Sequence, residues 1–217
     1  MYLFDYYDKL SGSLKKVYDK MIKKLFFTTL SLFISLTAFA ITPDEIAANM
    51  QKSQVVSGQF TQNRHLRGMD KPMKTQGQFA LAQNHGLLWQ VETPLTLKLR
   101  LTQNGVEQWN KQQNQWIKSK QAGQSAQFEL FTALLGGNIS VLNQHFTPTA
   151  DGSPQNWTLT LAPKSAVMKQ IFTQISVQGG NTVSQVILQE KQGDKVEIQF
   201  TADTTPKTQA EIVQDLK

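Results

Sequence analysis

Not one of the 217 residues is cysteine. That excludes disulfides, thiol nucleophiles and thiolate metal sites together, and with them a lipid anchor on a leading cysteine. Histidine is nearly as scarce: His65, His85 and His145 lie far apart and lack the i, i+4 or short-loop spacing of metal ligands. Charged residues are only 18% of the chain, and Glu92, Glu107, Glu129, Glu190 and Glu197 stand singly, so no carboxylate pair offers itself for acid–base work. Neither a Gly-rich phosphate loop nor a Gly-x-Ser-x-Gly nucleophile turn is present. The inventory is that of a non-enzyme, and no cofactor or metal is expected.

Long apolar runs are also rare, with one exception. Lys23 and Lys24 precede an apolar stretch from Leu25 to Phe39 that ends in Ala38-Phe39-Ala40, the anatomy of a secretory signal peptide. Thr28, Thr29, Ser31 and Ser35 interrupt it, and it is shorter than the roughly 20 largely apolar residues of a transmembrane anchor. Residues 1–40 are therefore expected to be removed, residues 1–20 being either a start-site error ahead of Met21 or an extended n-region, with a single domain over residues 41–217. The formal charge of +6 is largely leader: six lysines and three acids lie in the first 40 residues, which leaves +3 on the rest. Lys and Arg are otherwise scattered, and the one cluster, Arg64, Arg67, Lys71 and Lys74, reads as a solvated face. No nucleic-acid partner is expected.

What remains is rich in alternation. Thr42-Pro43-Asp44-Glu45 combines an N-cap, a proline at the first helical position and a capping-box glutamate, which predicts a helix over residues 43–53 with Ile46, Ala47 and Met50 on one stripe. From Val56 the period becomes two. Val56 and Phe60, then Phe79 and Leu81, then Leu87, Trp89 and Val91 each share a face. Leu95 to Leu101 alternates most cleanly, and Asn104-Gly105 supplies a hairpin turn. A short pair spans residues 106–109 and 115–117, and later strands are expected at 156–161, 171–177, 183–190 and 195–200, each with one apolar face. Ten or eleven antiparallel strands without intervening helices predict a curved sheet or barrel.

Residues 125–137 break the series. Ser125 can cap a helix and Gly136 or Gly137 can end it, while Phe128, Leu130, Phe131, Ala133, Leu134 and Leu135 surround it almost completely. Such a helix is buried, either as a plug of the barrel end or as a lid over an apolar cavity. The tail carries a further capping box at Thr208 and Glu211, ahead of Ile212, Val213 and Leu216.

The ordered set formed by the leader, the opening helix, Ser57-Gly58-Gln59-Phe60-Thr61-Gln62, Gly77-Gln78-Phe79, Gly86-Leu87-Leu88-Trp89 and Leu161-Ala162-Pro163-Lys164 resembles the LolA-type periplasmic lipoprotein carriers. The resemblance covers most of residues 42–200. It implies a mainly β fold, an incompletely closed antiparallel β-barrel of about eleven strands with a helical lid, in a monomeric periplasmic protein. It implies a cavity for the acyl chains of a lipoprotein received from an inner-membrane ABC-type transporter and passed to an outer-membrane acceptor. The lipid-contacting positions it implies are Met50, Val56, Phe60, Leu87, Trp89, Val91, Phe128, Phe131, Leu134 and Leu135. Such carriers latch the lid with an arginine before a proline; the matching stretch here is Ala82-Gln83-Asn84, so Gln83 takes the latch position with a neutral side chain. Two other readings stay open on the same fold: a carrier of another acyl or lipid-like product, and a sensor or interaction module that transports nothing.

Overall fold

The computed structural model describes residues 16–17, 41–119 and 124–217. The chain divides into two compact units, Met1–Phe39 and Ala40–Lys217. In the first only Lys16 and Val17 are described, both helical, so the expected leader lies outside the described residues. The second unit opens with helix α1 (Pro43–Met50), shorter at its C-terminal end than predicted, whose capping box is complete: Thr42 Oγ1 accepts from the Glu45 amide, and the Glu45 carboxylate accepts from the Thr42 amide at 2.8 Å.

Six strands then run outward as successive hairpins: β1 (Val55–His65), β2 (Met73–Ala82), β3 (Gly86–Thr93), β4 (Leu97–Thr102), β5 (Gly105–Asn110) and β6 (Gln115–Lys118). Five return: β7 (Phe146–Ser153), β8 (Asn156–Pro163), β9 (Phe172–Gly179), β10 (Val183–Glu190) and β11 (Lys195–Ala202). All pairs are antiparallel, and β1 pairs with β11 from Gly58↔Ala202 to His65↔Lys195. The result is one eleven-stranded sheet in the order β6-β5-β4-β3-β2-β1-β11-β10-β9-β8-β7, with β6 and β7 as its unpaired edges. This is the open β-barrel the resemblance implied.

The segment between those two edges supplies the cover. Helix α2 (Gln124–Gly136) and helix α3 (Ile139–His145) occupy it, so the chain leaves the sheet where the barrel fails to close. Two short helices complete the unit, α4 (Ala166–Ile171) between β8 and β9, and α5 (Gln209–Asp215) at the end.

Several expectations are corrected. Helices α3 and α4 do intervene between strands, and β7 was not foreseen, because Pro148 and Gly152 break its alternation. Ser125 sits inside α2 and not ahead of it. Leu95 lies outside β4 and is 78% exposed; the clean alternation extends one period beyond the ladder. Ile171 belongs to α4, so β9 begins at Phe172. The β4–β5 turn falls one residue early, with Thr102 paired to Gly105 and Gly105 at φ +94°.

The sheet also buries more than one face. Inside, Val56, Phe60, Leu81, Leu87, Trp89, Leu99 and the apolar positions of β8–β11 form one continuous core. Outside, Ala80, Ala82 and Leu88 meet Ile212 and Leu216 of the α5 region in a separate cluster. Arg100, on the opposite face of β4 from Leu99 and Leu101, is buried beside it, donating from Nε to Glu107 Oε2 at 2.8 Å and from Nη1 to the Leu216 carbonyl at 2.7 Å. Its guanidinium also stacks on Trp116 at 4.5 Å from the ring centroid, which satisfies a charge that burial alone would penalise.

Candidate ligand cavity

Trp89 stands at the centre of the interior. It reaches there because Leu87 and Trp89 share the inward face of β3, and Trp89 pairs with Phe79 on β2 and Leu99 on β4. The Phe60 ring lies on one side of it, centroids 3.9 Å apart with planes 26° apart, and the Phe131 ring stacks at 5.6 Å and 6°. Phe128 and Phe200 approach at 6.3 Å edge-on. Gly77 lets Phe60 lie over the sheet: a Cβ there would fall 1.9 Å from the Gln90 carbonyl oxygen and 3.0 Å from Phe60 Cε1. The sheet thus contributes Phe60 and Trp89, and α2 contributes Phe128 and Phe131 against them.

Every residue expected to contact lipid is in this one cluster. Met50, Val56, Phe60, Leu87, Trp89, Phe128, Phe131, Leu134 and Leu135 are buried, and Val91 is half-buried against them. They divide into two neighbourhoods. One is the aromatic group around Trp89; the other joins Met50 and Leu134 to Ile46, Leu142, Trp157 and Val177 around a void of only about 10 Å³. Space of that size holds one water at most, so α1, α3 and Leu134 of α2 pack closely against β8 and β9 there.

The sequence reading missed half of the lining. Phe79 and Phe200 join the ring contacts, and Trp157, Leu159, Ile175, Val177, Val186 and Ile198 form the opposite wall. Their period-two pattern was visible, but nothing in one sequence said that β8–β11 pack into the same core as β1–β3.

The cover is tied down at one end. Gly137 adopts φ +64°, and the Asn138 amide bonds back to the Ala133 carbonyl at 2.9 Å, closing α2 with a Schellman turn. A side chain at Gly137 would meet Met50 Cβ at 2.9 Å, so glycine serves both the turn and the approach of α1. Gln83 Nε2 donates to the Gly136 carbonyl at 3.0 Å, and Gln51 Nε2 to the Gly137 carbonyl at 2.8 Å. Among the described residues these two amide contacts are the side-chain hydrogen bonds holding α2 to the rest of the unit. Beside them, a crevice of about 380 Å³ runs in from the surface between Gln83, Thr132, Ala133, Leu81 and Leu101.

Among the described residues no three His, Asp or Glu side chains converge, and no helix is long and apolar enough to cross a membrane.

The architecture is therefore an open antiparallel barrel whose apolar interior is covered by an apolar helix. Residues 36–216 match the family described as outer membrane lipoprotein carrier protein LolA-like, and the chain belongs to that family. Among solved structures it is similar to the LolA superfamily protein NE2245 from Nitrosomonas europaea, at 9% identity over 75% of this chain and 92% of that one, with a TM-score of 0.42. It is also similar to a chain of the Pseudomonas aeruginosa MucA/MucB complex, at 11% identity over 80% of this chain and 58% of that one, with a TM-score of 0.44. A DUF1329 family protein from Desulfovibrio piger matches at 10% identity over 73% and 90%, with a TM-score of 0.39. No curated protein matches the sequence.

Proposed function

We propose that the protein is a periplasmic carrier that takes acyl chains, those of a lipoprotein first, into the space now filled by Phe128, Phe131 and Leu134, and shuttles them from an inner-membrane ABC-type transporter to an outer-membrane acceptor. The observation that carries this reading is the stack of Phe131 on Trp89: the cover presses aromatic rings, not polar groups, onto the sheet, so lifting it exposes apolar surface on both sides. An acyl chain covers that surface again. Each methylene contributes about 0.8 kcal/mol of transfer free energy, so one long chain outweighs the two neutral hydrogen bonds at Gly136 and Gly137, each worth about 1 kcal/mol. The crevice beside Gln83 is where a chain would start to enter.

A brominated fatty acid tests it. It should quench Trp89 fluorescence, Trp89→Phe should remove most of the quench, and Phe131→Asp should abolish binding while the far-UV circular dichroism of the sheet persists. Protein recovered from its own periplasm with no acyl species by native mass spectrometry, together with no quenching in vitro, would sink the reading. The same quench without any lipoprotein in the native spectrum would favour the second cargo class, for which the neutral latch at Gln83 is the supporting feature.

A further inference from the structure

The two ends of the barrel differ in chemistry. Four hairpin turns close one end, those at residues 83–85, 103–104, 154–155 and 180–182. They contain no Lys or Arg and no large apolar side chain. At the other end lie the β1–β2 loop, the β3–β4 loop, α4 and the β10–β11 turn. Here Met69 and Met73 are each 54% exposed, Val167 60%, Ile171 41% and Leu95 78%. Only Ile117, among the exposed large apolar side chains described in residues 41–217, lies elsewhere. Single exposed apolar residues need no explanation; their concentration at one end does.

Basic residues interleave with them. Lys71 and Lys74 flank Met73, Lys164 and Lys169 flank Val167, and Lys191 sits on the adjoining turn; all five are exposed, and none has a carboxylate within salt-bridge distance among the described residues. Asp70 is the one carboxylate on the β1–β2 loop. Of the other acids at this end, Glu92 accepts from the neutral Gln78 amide at 2.9 Å, Arg64 holds Glu190 at 3.0 Å and Asp194 at 3.4 Å, and Lys195 holds Glu197 at 2.6 Å. The segments form one surface. The Arg67 amide donates to Asp194 Oδ1 at 3.0 Å, joining the β1–β2 loop to the β10–β11 turn, and the Lys191 amide donates to the Ile171 carbonyl at 2.9 Å, joining that turn to α4. Val167 and Ile171, four residues apart on α4, share one helix face.

We infer that this end of the barrel docks on an anionic lipid bilayer, with Met69, Met73, Val167 and Ile171 entering the headgroup boundary and the lysines meeting lipid phosphates. Flexible methionines and a two-residue helical stripe suit a fluid surface better than a fixed pocket. Unpaired lysines around them match negative headgroups, each worth about 1 kcal/mol near such a surface. The inference stands apart from the cavity: a protein can bind acyl chains and never touch a bilayer, or the reverse.

The missing cysteine makes the test local. Full chains carrying Met69→Cys, Val167→Cys or, at the opposite end, Asn181→Cys are labelled with an environment-sensitive fluorophore and mixed with vesicles of phosphatidylcholine alone or with phosphatidylglycerol. The expected result is a blue shift at positions 69 and 167 on the anionic vesicles only, none at 181, and loss of the shift as salt rises. Lys71→Glu with Lys191→Glu should weaken vesicle affinity at least about tenfold. Because each probe reports its own position, binding through residues 1–40 does not mimic the result. No shift at 69 and 167, or an equal shift at 181, overturns the inference, as does a response to a soluble acidic protein without any to vesicles.

Discussion

Gln83 shows how much one side chain can set. Its amide reaches the Gly136 carbonyl at 3.0 Å, in the position where related carriers are expected to have an arginine. A guanidinium there would make a charge-assisted bond, roughly twice as strong as a neutral one. On the proposed carrier reading, the neutral amide leaves the cover easier to lift than a guanidinium would. Gln83→Ala should raise the population of the open cover about fivefold, the loss of one hydrogen bond of about 1 kcal/mol. Gln83→Arg should move it the other way and slow acyl uptake. Stopped-flow quenching of Trp89 by a brominated chain reads both, and equal uptake rates in the three proteins would remove Gln83 from the latch. The sequence singled this residue out because its neighbourhood matches the family motifs; that its amide bonds the end of α2, and that Gln51 joins it, only the folded chain reveals.

At the scale of elements, α5 is instructive. Its capping box was legible in Thr208 and Glu211, and the structure completes it with Glu211 Oε2 accepting from the Thr208 amide at 2.7 Å. What the sequence could not show is that Ile212 and Leu216 lie on the outer face of β2 and β3, since Ala80, Ala82 and Leu88 are too small or too isolated to mark a second buried face. Arg100 shows the same thing: period two puts it on the outer face, and the arrival of the tail makes that face buried. The hydrogen bonds of Thr208 hold the Glu211 carboxyl below its ordinary value of 4.5, and those of Thr42 do the same for Glu45. A carboxylate with a lowered folded-state pKa adds stability that is fully present above the unfolded value and is lost as pH falls through the folded one. Glu211→Gln should thus lower the urea midpoint at neutral pH, with the difference from wild type shrinking as the solution is acidified below about 4.5. A difference independent of pH would mean that the carboxylate is not the group responsible. Arg100→Met should be a sharper lesion. It strands Glu107 in a half-buried position and frees the Leu216 carbonyl, and removing one partner of such a pair costs several kcal/mol, about 3. Early proteolysis after residue 203 is the accompanying sign.

For the whole molecule, the division of the structure into a hydrogen-bonded sheet and a cover held by side chains predicts unequal local stability. β1 pairs with β11 from Gly58 to His65, β10 with β11 over Gln185–Gln189, and β9 with β10 between Phe172 and Gly179. Helix α2 contributes rings to the same core, and among the described residues the side-chain hydrogen bonds that tie it down are two amide contacts at its C-terminal end. Local opening follows such differences, because segments with few cross-links open at lower free energy than the global transition. Amide hydrogens of residues 128–136 should therefore exchange through an opening that leaves the β8–β11 amides protected. An acyl ligand changes this in a diagnostic way. If it binds between the cover and the sheet in place of Phe131, it stabilises the native protein by about 2.7 kcal/mol at a free concentration of one hundred times its dissociation constant, while the α2 amides exchange no more slowly than in the empty protein because the cover stays lifted. A ligand that merely adhered to the closed outer surface would instead slow α2 and the sheet alike. Exchange mass spectrometry with and without a long-chain fatty acid separates the two outcomes. Uniform protection would return α2 to the role of a fixed plug, the other reading its apolar circumference allowed.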